Sequence, residues 1–183
     1  MEYFKKILKE SIVIVIISSI MGLVSGTVLS TNERILYYFP IILLILPSLN
    51  SLIGDISTVL ISRLTSHLYI GLIPPKIQKS DRLKEDFFGL LITILLSLLA
   101  LIVIGYTMGI TTGINIVNPL LIISILLITI LSLFFMMFIF LFVSSIFLFK
   151  RGNDPNNFLI PFVTSLADFL TPLFLIIFIQ IFI

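Results

Sequence analysis

Two stretches decide the fold: Phe87–Tyr106, FFGLLITILLSLLALIVIGY, and Pro119–Phe149, PLLIISILLITILSLFFMMFIFLFVSSIFLF. Neither contains an Asp, Glu, Lys or Arg, and the short segment between them adds none. A helix that crosses a bilayer needs about 20 mostly apolar residues, and each stretch supplies them. Working outward, Ser11–Leu29, Ile35–Ile53 and Phe158–Ile183 meet the same length requirement. The whole chain of 183 residues is 59% hydrophobic and 11% charged, against about 25% charged in an ordinary soluble domain. Mean hydropathy is +1.28. Surface-to-volume scaling prevents a soluble domain of this size from covering so much apolar surface. The composition also excludes a disordered chain, a collagen and a coiled coil. With no cysteine, disulfides, thiolate nucleophiles and Cys-held metals are excluded as well.

An all-α polytopic membrane protein is therefore expected. Its helices are placed at about 11–29, 35–73, 87–106, 119–149 and 158–183, in one integral membrane domain covering 1–183. Lys5, Lys6 and Lys9 before the first segment also suit a signal peptide, but the apolar run is long for one. The region 35–73 reads as one span or two, and positive charge chooses between them. With one span, Lys5, Lys6, Lys9, Lys76, Lys79, Arg82, Lys84, Lys150 and Arg151 share a side, and only Arg34 lies opposite. With two spans that bias largely disappears. Five spans are expected, with the N-terminus cytosolic and the C-terminus outside. The second helix would then run on into the cytosol, since about 39 residues at 1.5 Å each exceed the membrane core. Tryptophan is absent, so Tyr3, Tyr37, Tyr38 and Tyr106 near segment ends would supply the interfacial belt. The basic residues set orientation, and nucleic acid is not an expected partner. The 74–86 segment reads as a solvated loop.

The few polar residues inside these segments carry the functional reading. A carboxylate near the bilayer centre costs about 2.5–3.5 kcal/mol on insertion scales. Asp168 falls ten residues, or about 15 Å, into the fifth segment, near the midplane. Pro161, Thr164, Ser165, Thr171 and Pro172 stand at helical spacing from it and form one stripe. Helix packing accounts for Ser, Thr and Pro in such a stripe, but it does not require a carboxylate. The second segment carries Ser48, Ser51, Asp55, Thr58, Ser62, Thr65 and Tyr69 at three- and four-residue steps, flanked by Asn50 and Gly54. Its Asp55 is expected near the cytosolic boundary, at a different depth from Asp168. As an alternative to an ion ligand, Asp55 pairs across helices with Arg63. Arg63 otherwise snorkels at the cytosolic face, and the lone His67 reads as structural. Asp154, before Pro155, suits a helix cap and secondarily a cytosolic pore mouth with Arg63.

Stripes of carboxylate, hydroxyl and amide oxygen suit hard cations. Mg²⁺ gives up its water reluctantly, so one or two carboxylates can hold it hydrated. A two-fold dimer would bring two Asp168 side chains to one axis.

Pro47-Ser48-Leu49, Gly54-Asp55, Ser62-Arg63-Leu64 and Tyr69-Ile70-Gly71 resemble the second-helix pattern of the MgtE and solute carrier 41 divalent-cation transporters, P-A-L, G-N, S-R-L and N-I-G. Asp154-Pro155-x-Asn157, Ile160-Pro161, Thr164 and Asp168 resemble that family's fifth-helix pattern, D-P-x-N, I-P, T and D. The resemblance implies a Mg²⁺ channel or transporter whose pathway is lined by helices two and five at a homodimer interface. Asp168 and Asp55 would be the metal-binding residues there, and Asn50, Ser51, Thr58, Thr164, Ser165 and Thr171 the pore lining. Asp55 stands where the family has asparagine, which adds negative charge at the inner end. The cytosolic regulatory domains of bacterial MgtE have no counterpart in these residues.

The expected setting is multi-pass in the plasma membrane, with lipid and divalent cations as partners and no cofactor beyond the transported ion. Alternatives are a non-transporting scaffold or subunit of a larger complex, and a cation exchanger driven by Na⁺ or H⁺. An intramembrane aspartyl protease is disfavoured, because Leu52-Ile53-Gly54-Asp55 lacks the G-x-G-D form and the second aspartate has no tyrosine before it.

Overall fold

The computed structural model describes residues 2–114 and 116–182. Of the N-terminal residues before Ile12, the side chains described are those of Phe4 and Leu8. Lys5, Lys6 and Lys9, which entered the orientation argument, and Tyr3 of the expected interfacial belt lie outside the described side chains.

Six helices account for the fold: α1 (Glu2–Thr31), α2 (Glu33–Tyr38), α3 (Pro40–Ile70), α4 (Asp81–Thr111), α5 (Pro119–Lys150) and α6 (Pro155–Phe182). All but the six-residue α2 contain a segment long and apolar enough to cross a membrane. The chain is thus a multi-pass membrane protein with five candidate membrane-spanning helices among its described residues, the number its sequence predicts.

The second span differs from its expected form. A helix over 35–73 is replaced by short α2, a break at Phe39, and α3. Pro40 explains the break: a residue before proline is pushed out of the α region, and Phe39 has φ −121°, ψ 69°. Proline is well placed as the first residue of the new helix. The other end is set by Gly71 in the left-handed conformation, φ 81°, whose N–H reaches the carbonyl oxygens of His67 and Leu68. With these ends α3 has 31 residues, the same length as α4. Three other helices start earlier than expected, and the first of them, α1, begins at Glu2 rather than near residue 11. α4 takes in Asp81–Asp86, and α6 begins at Pro155 with the Asn156 N–H donating to Asp154 Oδ1 at 3.0 Å.

The core lies among α3, α5 and α6. On α6 the residues Leu159, Val163, Ala167, Thr171 and Leu175 recur every four positions and are all buried. Ala167, fully buried, allows close approach of the neighbouring backbone. In lipid, helices associate through packing and hydrogen bonds rather than a hydrophobic gain, so such fit matters more than apolarity. α4 packs on the outside of α3, where Gly105 and Gly109 admit the side chains of Ile45 and Ile41. A Cβ on either glycine would come within 2.9 Å of those isoleucines. Phe87 binds α4 to α5 through an edge-on contact with Phe138, centroids 5.0 Å apart. α1 packs chiefly against α6. Its outward side is apolar and exposed, as a lipid-facing helix requires.

Candidate functional site: a cleft between two carboxylate-bearing helices

α3 and α6 make the most extensive helix contact in the molecule, and a cleft of about 270 Å³ opens along it. Asn50, Ser51, Gly54 and Asp55 line it from α3, and Thr164 and Asp168 from α6. The two aspartates therefore face one space, where the sequence reading placed them at different depths. With Pro40 and Ile70 as the ends of α3, Asp55 is its middle residue. Asp168 is likewise central in α6, which runs from Pro155 to Phe182.

Local sequence turns these side chains outward. Asp55 follows buried Ile53 and Gly54 and precedes buried Ile56 and Ser57. Asp168 follows Ala167, which is fully buried in the core. Asp55, Ser51, Thr164 and Asp168 are all exposed at the mouth of the cleft. Every polar atom that lines it belongs to a carboxylate, hydroxyl, amide or peptide group, and no Lys, Arg or His contributes. The Asn50 amide oxygen is buried with no hydrogen-bond partner among the described residues. Such a set of oxygens matches the ligand preference of a hard cation. A water occupies about 30 Å³ of liquid volume, so the cleft has room for an ion that keeps part of its hydration shell.

Other expected lining residues sit elsewhere. Thr58 donates to the Gly54 carbonyl at 2.9 Å. Ser165 faces α1, its hydroxyl 2.6 Å from Ser18 Oγ. Thr171 is fully buried inside the protein. Asp154 caps α6, and Arg63 is engaged by an acid from α4.

That acid is Asp86, which the sequence reading placed in a solvated loop. It is 2% exposed, in the second turn of α4. Arg63 brings Nε and Nη2 to its Oδ1, each at 2.6 Å, and His67 Nε2 stands 3.1 Å from its Oδ2. Arg63 thus pairs with Asp86 rather than with Asp55. The spacing contained the signal: Asp86, Leu90, Ile94 and Leu98 recur every four residues and form the buried stripe of α4.

A second cleft, about 420 Å³, opens on the other side of Asp55, between α3 and α4. Ser48, Ser51 and Asp55 line it with Ser97, Ala100 and Ile104 of α4. Ser97 was missed because the third span reads as featureless, although its spacing of three and seven from Ala100 and Ile104 puts them on one side.

Comparison with known families gives a match over residues 46–178 to the MgtE family, described as a divalent cation transporter. No curated protein and no solved structure matches the chain. The matched residues hold both carboxylates of the cleft and the whole Arg63–His67–Asp86 cluster, and they leave α1 outside.

Proposed function

Since the chain belongs to the MgtE family of divalent cation transporters, we propose that it moves Mg²⁺ along the α3–α6 cleft of a homodimer. One observation carries the reading. Asp55 and Asp168, from helices far apart in sequence, line one cleft with no basic residue among its lining. A carboxylate in a membrane helix is costly unless it serves an ion path or has a partner. Asp168 and Asp55 have no ion-pair partner among the described residues.

The cleft is open on its outer side, so a single protomer surrounds the ion only partly. A second protomer across a two-fold axis would close it and bring a second Asp168. The two Asp168 carboxylates then balance one divalent charge, and Asn50, Ser51 and Thr164 hold the ion's remaining waters. Ser165 and Thr171 support the pathway from behind, and Thr58 continues the α3 stripe. Asp55, where the family has asparagine, adds charge beside Asp168 and bears on ion preference. Asp154 and Arg63 lie toward the inner end.

The orientation follows the positive charge. Lys76 and Lys79 lie in the α3–α4 loop, Arg82 and Lys84 in the first turns of α4, and Lys150 and Arg151 where α5 ends, and positive charge at the membrane boundary stays cytosolic. The N-terminus is then inside, the C-terminus outside, and the setting a plasma membrane. The 183 residues form one membrane unit, and the protein is a transporter with no cofactor of its own.

Liposomes bearing the full chain test this reading. Mg²⁺ uptake is expected from the unaltered protein and not from Asp168→Ala at equal folded yield. Full uptake by Asp168→Ala would overturn the site. A cysteine at the exposed Thr164 should cross-link two protomers, and monomer alone under oxidation would contradict the dimer.

A further inference from the structure

We infer that α1 is a working part of the ion site, because Ser25 supplies the hydrogen bond that Pro172 denies to the peptide carbonyl of Asp168. The inference rests on the cleft reading above and identifies Ser25 as a positioning residue for it.

In an α-helix the carbonyl of residue i accepts from the N–H of residue i+4. For Asp168 that residue is Pro172, which has no N–H. An unsatisfied backbone carbonyl in a membrane interior is strongly unfavourable. The Ser25 hydroxyl donates to this carbonyl oxygen at 2.8 Å. Ser25 is 7% exposed and is the sole buried residue among the described side chains of α1, a helix otherwise rich in Ile, Leu and Val.

The contact belongs to a seam. Ser18, Ser25 and Asn32 follow one another at seven-residue steps. Each meets α6 by a hydrogen bond: Ser18 with Ser165 at 2.6 Å, Ser25 with the Asp168 carbonyl, and Asn32 with Gln180 at 3.0 Å. Seven residues are close to two helical turns, so Ser18 and Ser25 lie on one side of α1, and Asn32 follows just past its end. The middle bond falls on the residue whose carboxylate opens into the cleft. Proline frees the backbone there, and α1 takes hold of it. Asp168 is thereby fixed from two sides, by Ala167 in the core and by Ser25 on its own carbonyl. Because the family match starts at residue 46, this role for α1 goes beyond what the match covers.

The test compares Mg²⁺ uptake by liposomes holding the full chain as the unaltered protein, Ser25→Ala, Ser25→Thr, Pro172→Ala, the Ser25→Ala/Pro172→Ala pair, and Asp168→Ala. A single hydrogen bond corresponds to a change of about fivefold to tenfold. Ser25→Ala is expected to raise the half-saturating Mg²⁺ concentration by that factor while the maximal rate holds. Ser25→Thr keeps the hydroxyl and the original value. Pro172→Ala restores an N–H at position 172, so Ser25→Ala added to it should change half-saturation by less than about twofold. An equal effect of Ser25→Ala in both backgrounds, or none in the unaltered one, would overturn the inference. If Ser25→Ala does not fold, the pair against Pro172→Ala alone decides. A pair that folds and matches Pro172→Ala supports the inference, and a pair that fails as Ser25→Ala does contradicts it. For variants that fold but do not transport, Mg²⁺ protection against thermal unfolding gives the same comparison. Asp168→Ala separates the two claims. If it transports normally, the cleft reading has failed. If it is inactive while Ser25→Ala is unaffected, only the role of α1 has failed.

Discussion

Asp86 and Asp168 are both carboxylates on apolar helices of this protein, and they are treated in opposite ways. Asp86 is 2% exposed and paired with Arg63, and His67 Nε2 stands 3.1 Å from its other oxygen. Asp168 opens into a cleft lined by uncharged oxygens and Asp55. A buried carboxylate whose charge is already matched by a guanidinium ties α3 to α4. A carboxylate left without a base in a membrane helix has its charge free for an ion. The difference is one of partners, and inspection of charge along the chain does not show it.

Substitutions can break the comparison from either side. The largest effect is expected at Asp168. Replacement by alanine should remove Mg²⁺ uptake while the melting temperature without Mg²⁺ stays put or rises, because an unpaired carboxylate adds nothing to folding. Arg63→Ala should do the reverse. Removing one partner of a buried pair costs about 3–5 kcal/mol. A value near 3 is expected, since His67 remains beside Asp86 and Arg63 is itself half exposed. Denaturation in detergent would report the loss, and uptake per folded molecule should be unchanged. A stable Arg63→Ala protein with altered ion selectivity would place that cluster on the pathway instead.

The middle of the range sharpens the cleft itself. Asp55→Asn should retain transport and shift the Mg²⁺ to Ca²⁺ preference by about tenfold or less, equivalent to at most 1.4 kcal/mol. An unaltered preference would mean that the extra charge on α3 is silent. The smallest effect is expected at Asp154, whose side chain caps α6 at 3.0 Å. Asp154→Ala should cost about 1 kcal/mol of stability with transport intact. Slowed uptake at unchanged stability would assign Asp154 to the pore mouth.

Much of this was legible in the sequence. Apolar length gave the five spans, and the scarcity of charge directed attention to Asp55 and Asp168. Pro40 was the residue underweighted. Its ring pushes Phe39 out of the α region, which ends α2 and lets α3 start at residue 40. Asp86 was misplaced because a charge next to a basic loop reads as part of that loop, whereas its four-residue spacing to Leu90 and Ile94 puts it on the buried side. The contact of Ser25 with Asp168 could not be read at all. Pro172 announces a carbonyl in need of a donor, but only the packing of α1 on α6 says which hydroxyl reaches it.

The central claim is that the unpartnered carboxylates, and not the partnered one, hold the divalent cation. Thermal unfolding of the purified protein with and without Mg²⁺ tests it most directly. A ligand at about 100 times its dissociation constant stabilises the folded state by about 2.7 kcal/mol. That protection should appear in the unaltered protein and persist in Arg63→Ala, whatever its lower starting stability, and it should be absent from Asp168→Ala. Protection retained in Asp168→Ala, or lost in Arg63→Ala, would contradict the account.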